Sequence, residues 1–163
     1  MPEQEKKSGT YEAGCHCGYI KFSITLSPPL PEYEVLDCNC SMCAKAGYLL
    51  VCKCPCKVQL EHYKESNTPL PDPHRQDVKW HGDSRSRCAV YRFNTKQKDQ
   101  LFCPKCGTSL GIDFRESMKP RFDGYGISVS SLTQPLSLGR FMGKELKRKS
   151  ARSAPSTAST SAT

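Results

Sequence analysis

The chain has 163 residues, only 37% of them apolar, with 11 glycines, 12 prolines and 11 cysteines. The polar start, Met1 to Lys7, holds no apolar run fit for a signal peptide or a membrane span, which argues against a secreted disulfide scaffold and against membrane insertion. The formal charge of +8 would fall to about +5 if seven cysteines bound two zinc ions as thiolates, so the folded part shows no basic footprint for nucleic acid.

In chain order, residues 1–10 read as a polar, disordered lead. Gly14-Cys15-His16-Cys17-Gly18 is a glycine-flanked turn, and it opens a half-buried strand in which Ile20, Phe22, Ile24 and Leu26 alternate with mostly polar residues. Ser27-Pro28-Pro29-Leu30-Pro31 predicts an extended connection. Asp37-Cys38-Asn39-Cys40-Ser41-Met42-Cys43 follows as a tight turn carrying three thiols. Gly47 to Cys52 is a buried strand that resumes at Val58 to Leu60. Cys52, Cys54 and Cys56 between them read as small buried apolar residues rather than as a further metal cluster. Ser66 to Lys79, with Pro69, Pro71 and Pro73, is a long loop, either a lid beside a site or a tolerated insertion. Cys88 to Phe93 is a strand with Cys88 inside it, and Thr95 to Gln100 a polar turn or short helical segment. Cys103-Pro104-Lys105-Cys106-Gly107 has the form of a zinc knuckle. Strands over Ser109 to Phe114 and Tyr125 to Val129 end the domain near residue 143. The remainder, 144–163, is a basic run and then a Ser/Thr/Ala-rich disordered tail. Short strands and abundant turn residues place the chain in the all-β class.

Two groups of cysteines offer half a metal site each, Cys15 with Cys17 and Cys103 with Cys106. Joined, they make a closed four-thiolate site that ties the first strand to a late one, and they leave Cys38, Cys40 and Cys43 as a three-thiolate site with an open position. Structural zinc is closed by four protein ligands, whereas catalytic zinc keeps a position for water or substrate. A rival pairing closes the central group with Cys15, Cys17 or His16 and leaves the knuckle to find Cys88.

The order of these motifs, Gly14-Cys15-x-Cys17-Gly18, then Asp37-Cys38-x-Cys40-x-x-Cys43, then Phe102-Cys103-Pro104-x-Cys106-Gly107, resembles the family of glutathione-dependent formaldehyde-activating enzymes and centromere protein V, over about residues 11 to 137. The resemblance implies a zinc-stabilised β-tent with two zinc ions. One would be structural on Cys15, Cys17, Cys103 and Cys106, and one accessible on Cys38, Cys40 and Cys43. It also implies carbon–sulfur lyase activity, with glutathione or another thiol as co-substrate. The tryptophan that follows the third cysteine of the open cluster in the formaldehyde-activating enzymes is Ala44 here, so the adduct itself is left open.

On this reading the substrate is a small thiol adduct of an aldehyde, the compartment is the cytoplasm or nucleus, and no membrane is involved. Asp37 is the candidate general base or a support for the ligands. His74 and His81 are loop histidines that could close over the open position, ahead of His16 and His62. Tyr48 could flank the site, and Lys45 or Arg75 could meet a substrate carboxylate. The competing class is a non-catalytic zinc module that engages nucleic acid or a cytoskeletal surface through its basic tail, Lys144 to Arg152.

Overall fold

Strand β2, Lys21–Leu26, runs where the alternation of Phe22, Ile24 and Leu26 places it, and all three side chains are buried. The computed structural model describes residues 7–51, 75–115, 124–133 and 148–151. Ahead of β2 lies β1, Gly9–Gly14, paired with it in antiparallel register from Gly9 opposite Leu26 to Gly14 opposite Lys21. The sequence reading had only a disordered lead and a turn here. The strand forms because Tyr11 and Ala13 alternate inward with Thr10 and Glu12 outward. The proline-rich segment after β2 bends back instead of extending. Its Ser27–Pro28 and Leu30–Pro31 bonds are cis, Tyr33 N–H closes a turn on the Pro29 carbonyl at 3.0 Å, and Leu30 N–H donates to the Tyr11 hydroxyl at 2.8 Å.

Next come β3, Val35–Cys38, a short helix α1, Ser41–Ala46, and β4, Leu49–Val51. Cys52, Cys54, Cys56, His62, His74, the strand expected at Val58 to Leu60 and most of the 66–79 loop lie outside the described residues. The end of that loop is ordered differently from expectation. Arg75–Asp77 is a 3-10 turn, and Val78–Trp80 is strand β5, which pairs with β2. It forms there because Val78 is buried and the Trp80 ring packs on Phe22 at 4.7 Å between centroids. Strand β6, Ala89–Tyr91, and strand β7, Asp99–Phe102, follow. β7 takes in the end of the predicted polar turn because Asp99 and Gln100 are buried by pairing across the sheet. β8, Ser109–Asp113, and β9, Tyr125–Ser128, agree with expectation. Arg148–Ala151 forms strand β10, parallel to β3. The sequence reading made this a tail, and backbone pairing to an available edge strand needs no apolar pattern that would have announced it.

The described residues are thus almost entirely β, in two sheets. One has the order β1-β2-β5, the other β10-β3-β4-β9-β8-β7-β6, and every pairing except β10 with β3 is antiparallel. A first core between the sheets gathers Phe22, Ile24, Val35, Val51, Leu101, Leu110 and Ile127. A second, on the outer face of the seven-stranded sheet, gathers Leu36, Cys43, Tyr48, Leu50, Ile112 and Phe114. Adjacent residues divide between them, Val35 and Leu36, Leu50 and Val51, as strand alternation requires. Leu110 and Ile112 would share a face in a regular strand. They are split because Phe102 pairs with Ser109 while Leu101 pairs with Gly111, which leaves Leu110 as the extra residue of a bulge.

Candidate functional site

The closed cluster is made by two turns of the same construction. After β1, Cys15 N–H bonds the Ile20 carbonyl at 3.0 Å and Gly18 N–H the Cys15 carbonyl at 3.1 Å. After β7, Cys103 N–H bonds the Thr108 carbonyl and Gly107 N–H the Cys103 carbonyl, both at 2.9 Å. Gly18 and Gly107 each have a φ of 73°, a left-handed conformation that glycine takes without Cβ strain. The turns face each other, and the sulfurs of Cys15, Cys17, Cys103 and Cys106 all lie within 4.8 Å of one another. Cys15 to Cys17 is 3.6 Å and Cys17 to Cys103 is 3.8 Å. Thiolates about 2.3 Å from a tetrahedral ion stand about 3.8 Å apart, so this group has the spacing of a metal site, and all four cysteines are free of disulfides.

Hydrogen bonds draw Cys106 and Cys15 toward thiolate, whereas at Cys17 the Tyr19 N–H lowers the thiol but burial and the bonds to the other three sulfurs outweigh it and push it up to about 11. Thr108 hydroxyl lies 3.2 Å from Cys106 Sγ and, with backbone amides, draws that thiol down to about 5. Burial works against ionising Cys15, but Ile20 N–H donates to its sulfur at 3.2 Å, and the net direction is downward. His16 stands exposed in the turn, its backbone N–H bonded to Thr108 Oγ1 at 3.1 Å, and is outside the ligand group. Cys88 also stays outside. Its thiol meets the Ser84 carbonyl at 3.3 Å, and burial pushes it up to about 11.

The second group is Cys38, Cys40 and Cys43, whose sulfurs also lie within 4.8 Å of one another. Where the sequence suggested only a tight turn, β3 delivers Cys38 and α1 supplies the rest. Cys40 is the N-cap, its sulfur accepting from Cys43 N–H at 3.5 Å while its carbonyl accepts from Ala44 N–H at 2.9 Å. Cap and third helical residue project toward the same side, which brings Cys40 and Cys43 together. The helix stops at Gly47, and Tyr48 N–H bonds back to the Cys43 carbonyl at 3.0 Å. Tyr48 is buried with its hydroxyl 2.6 Å from Ser109 Oγ and donating to the Gly111 carbonyl at 3.3 Å. The Cys43 thiol donates toward Cys38 and draws it down to about 5, assisted by the Cys40 group and the Lys98 ammonium, while Cys43 is pushed up in turn. Among the described residues, no fourth cysteine, histidine or carboxylate joins this group.

The remaining candidates fall in different places. Asp37 sits on β3 between Leu36 and Cys38, whose side chains belong to the second core; strand alternation directs its own side chain to the opposite face. His81 is exposed and pairs with Glu12 at 3.7 Å. Arg75 donates to the Asp113 carboxylate at 2.9 Å and to the Tyr125 hydroxyl at 2.8 Å. Lys45 lies exposed on α1. Lys98, which sequence reasoning passed over, acts on Cys38 through its charge from more than fifty residues away, its ammonium lying 5.3 Å from the Phe114 ring centroid. No local signal could have identified it.

No family model matches the chain. Among solved structures, that of a Rhodobacter sphaeroides protein is similar in fold, with a TM-score of 0.51 and 21% identity over 78% of this chain and 94% of that one.

Proposed function

We propose that the protein is a zinc-dependent carbon–sulfur lyase acting on the adduct of a thiol, glutathione or a molecule like it, with an aldehyde. The observation that carries this reading is the unequal donor count among the described residues: four sulfurs in one group, three in the other. Cys15, Cys17, Cys103 and Cys106 would hold a structural zinc, and Cys38, Cys40 and Cys43 the active one. A zinc ion held by these three thiolates would leave a place for a fourth ligand, soft sulfur by preference, and would supply stabilisation of that sulfur as a thiolate. Cleavage of an S-hydroxymethyl adduct then leaves the C–S bonding pair on sulfur, forms the carbonyl, and moves the hydroxyl proton to solvent or to the departing thiol.

The chain's own residues divide the remaining work. The N-cap of α1 holds Cys40 and Cys43 at fixed separation, and Tyr48, anchored on Ser109 and Gly111, backs Cys43. Lys98 offsets part of the negative charge of three thiolates and attracts an anionic substrate. Asp37, whose side chain is directed away from Cys38 by strand alternation, is given no proton-transfer step at the sulfur. The resemblance in cysteine order to the formaldehyde-activating enzymes supports the reaction class, and Ala44 leaves the aldehyde unassigned.

The test is metal content of anaerobically purified wild type and Cys40→Ser, each titrated with glutathione, together with release of formaldehyde from S-hydroxymethylglutathione. About two zinc ions in the wild type, about one in the folded variant, and a thiol response lost with that ion are the expected results. One ion in both proteins, or two without any response to a thiol, would turn the reading to a metal-stabilised interaction module.

A further inference from the structure

Beside α1, on the outer face of the seven-stranded sheet, runs a groove of about 390 Å³, within the size range of small-molecule sites. Met42, Lys45 and Ala46 form one wall, and Tyr91, Gln100 and Phe102 of β6 and β7 the other. Gln100 pairs with Tyr91 on one side and Ile112 on the other. Its neighbour Leu101 belongs to the core between the sheets, so Gln100 faces the helix side with Ile112. The side chain is buried, only 4% of the residue being exposed, yet Gln100 Oε1 has no hydrogen-bond partner among the described residues. A buried carbonyl oxygen left unmatched costs free energy, which a donor brought to it by a ligand or a water would recover. Tyr91, by contrast, is 51% exposed, and its ring stacks on Phe93 with centroids 6.0 Å apart. A large aromatic held in the open on an edge strand offers a surface for a flat or apolar ligand. Lys45 supplies a cation at the rim.

We propose that this groove binds a small N-acylated amino acid or short peptide acid: its amide N–H donates to Gln100 Oε1, its apolar part lies between Met42 and the rings of Tyr91 and Phe102, and its carboxylate meets Lys45. The three features demand a donor, an apolar body and an anion in one molecule. Where the centre on Cys38, Cys40 and Cys43 takes a thiol as proposed above, the groove on the flank of the same helix is the place for the body of that molecule. The binding itself does not depend on that chemistry, and a ligand without sulfur tests it separately.

The probes are N-acetylphenylalanine, its ester analogue O-acetylphenyllactate, which lacks the N–H, and N-acetylphenylalanine amide, which lacks the carboxylate. Binding to the full metal-loaded chain is read from ligand-induced NMR shifts. Wild type should show shifts at Met42, Ala46, Tyr91 and Phe102, and should bind the first probe on the order of tenfold more tightly than either analogue. Gln100→Leu should erase the preference for amide over ester while keeping the preference for carboxylate, and Lys45→Gln the reverse. Absence of shifts at these residues with millimolar probe, or equal affinity of wild type for amide and ester, overturns the proposal even if Gln100→Leu does not fold. A preference that survives in folded Gln100→Leu also overturns it. Failure here with an intact response to glutathione at the cysteines would remove the groove alone.

Discussion

Cys103 and Cys40 are both thiols in three- or four-sulfur groups, but their surroundings set different consequences. Cys103 is fully buried in the core between the sheets, whereas Cys40 is half-exposed at a helix cap. Cys103→Ser should therefore cost the closed site and most of the fold, because a structural zinc supplies folding free energy on the order of 10 kcal/mol. Cys40→Ser should lose one ion and keep the fold. Thermal melts with metal content on the two variants check the contrast. Asp99 is a second residue whose environment dictates an outcome. Burial resists its ionisation, but Arg92 at 2.6 Å and Arg115 at 3.4 Å outweigh that and lower its pKa. A depressed carboxylate contributes stability that is complete above the unfolded value of about 3.9 and is lost as pH falls through the folded one. Asp99→Asn should cost about 1–3 kcal/mol at pH 7, reduced from the cost of a fully buried pair because both arginines are nearly half exposed. In urea unfolding the gap between wild type and variant should close below about pH 4. At the open group, Asp37→Asn should leave turnover within about threefold, since the side chain leaves β3 on the far side from Cys38. A loss of a hundredfold would restore Asp37 as the base.

Helix α1 has six residues, far below the dozen or so that a free helix needs in water. Its order comes from Cys43 and Tyr48 packing against Leu50, Ile112 and Phe114 and from whatever fastens Cys40 at its cap and Cys43 within it to Cys38 of β3. Removing metal from that group, as Cys38→Ser would, should raise amide exchange at Ala44, Gly47 and Tyr48 by about a hundredfold or more and leave β2 and β9 protected. Equal protection before and after would mean that packing alone orders the helix. Strand β8 shows the complementary case, in which a backbone irregularity divides neighbouring leucine and isoleucine between two cores. Sequence periodicity located β2, β8 and β9 because their apolar residues alternate. It passed over β1, which matches β2 in length but turns only Tyr11 and Ala13 inward, and over β3 and β5, which are short.

Across the whole molecule, the closed cysteine group lies between the end of β1 and the end of β7, so a metal held there would fasten the three-stranded sheet to the seven-stranded one. Aromatic contacts do the same at another point, where Trp80 of the small sheet meets Tyr125 of the large one edge-on at 5.8 Å. The chain after β9 adds a third tie, with Thr133 N–H bonded to the Glu12 carbonyl at 2.8 Å. With these ties the sheets should unfold as one cooperative unit, so strong chelation should abolish both in a single transition. Strand β10 lies outside them, at the edge of the large sheet. Deleting residues 144–163 should leave both metals bound, which metal analysis of the truncated protein checks.

The chain determined by itself that this is a small β protein built on two cysteine groups. Clustered thiols at spacings of two and three can converge on few arrangements, and counting donors favoured the pairing of Cys15 and Cys17 with Cys103 and Cys106 over the rival that leaves the knuckle to Cys88; the structure brings the favoured four together. What only the tertiary structure decided lies across the chain rather than along it. The Lys98 charge at Cys38, the unmatched Gln100 carbonyl opposite α1, the tie of Tyr48 to Ser109, and the side of β3 from which Asp37 emerges all depend on strand order and register. Local sequence carries no record of which strands become neighbours, because backbone pairing is nearly blind to side-chain identity, while the contacts that make a site are set by that pairing.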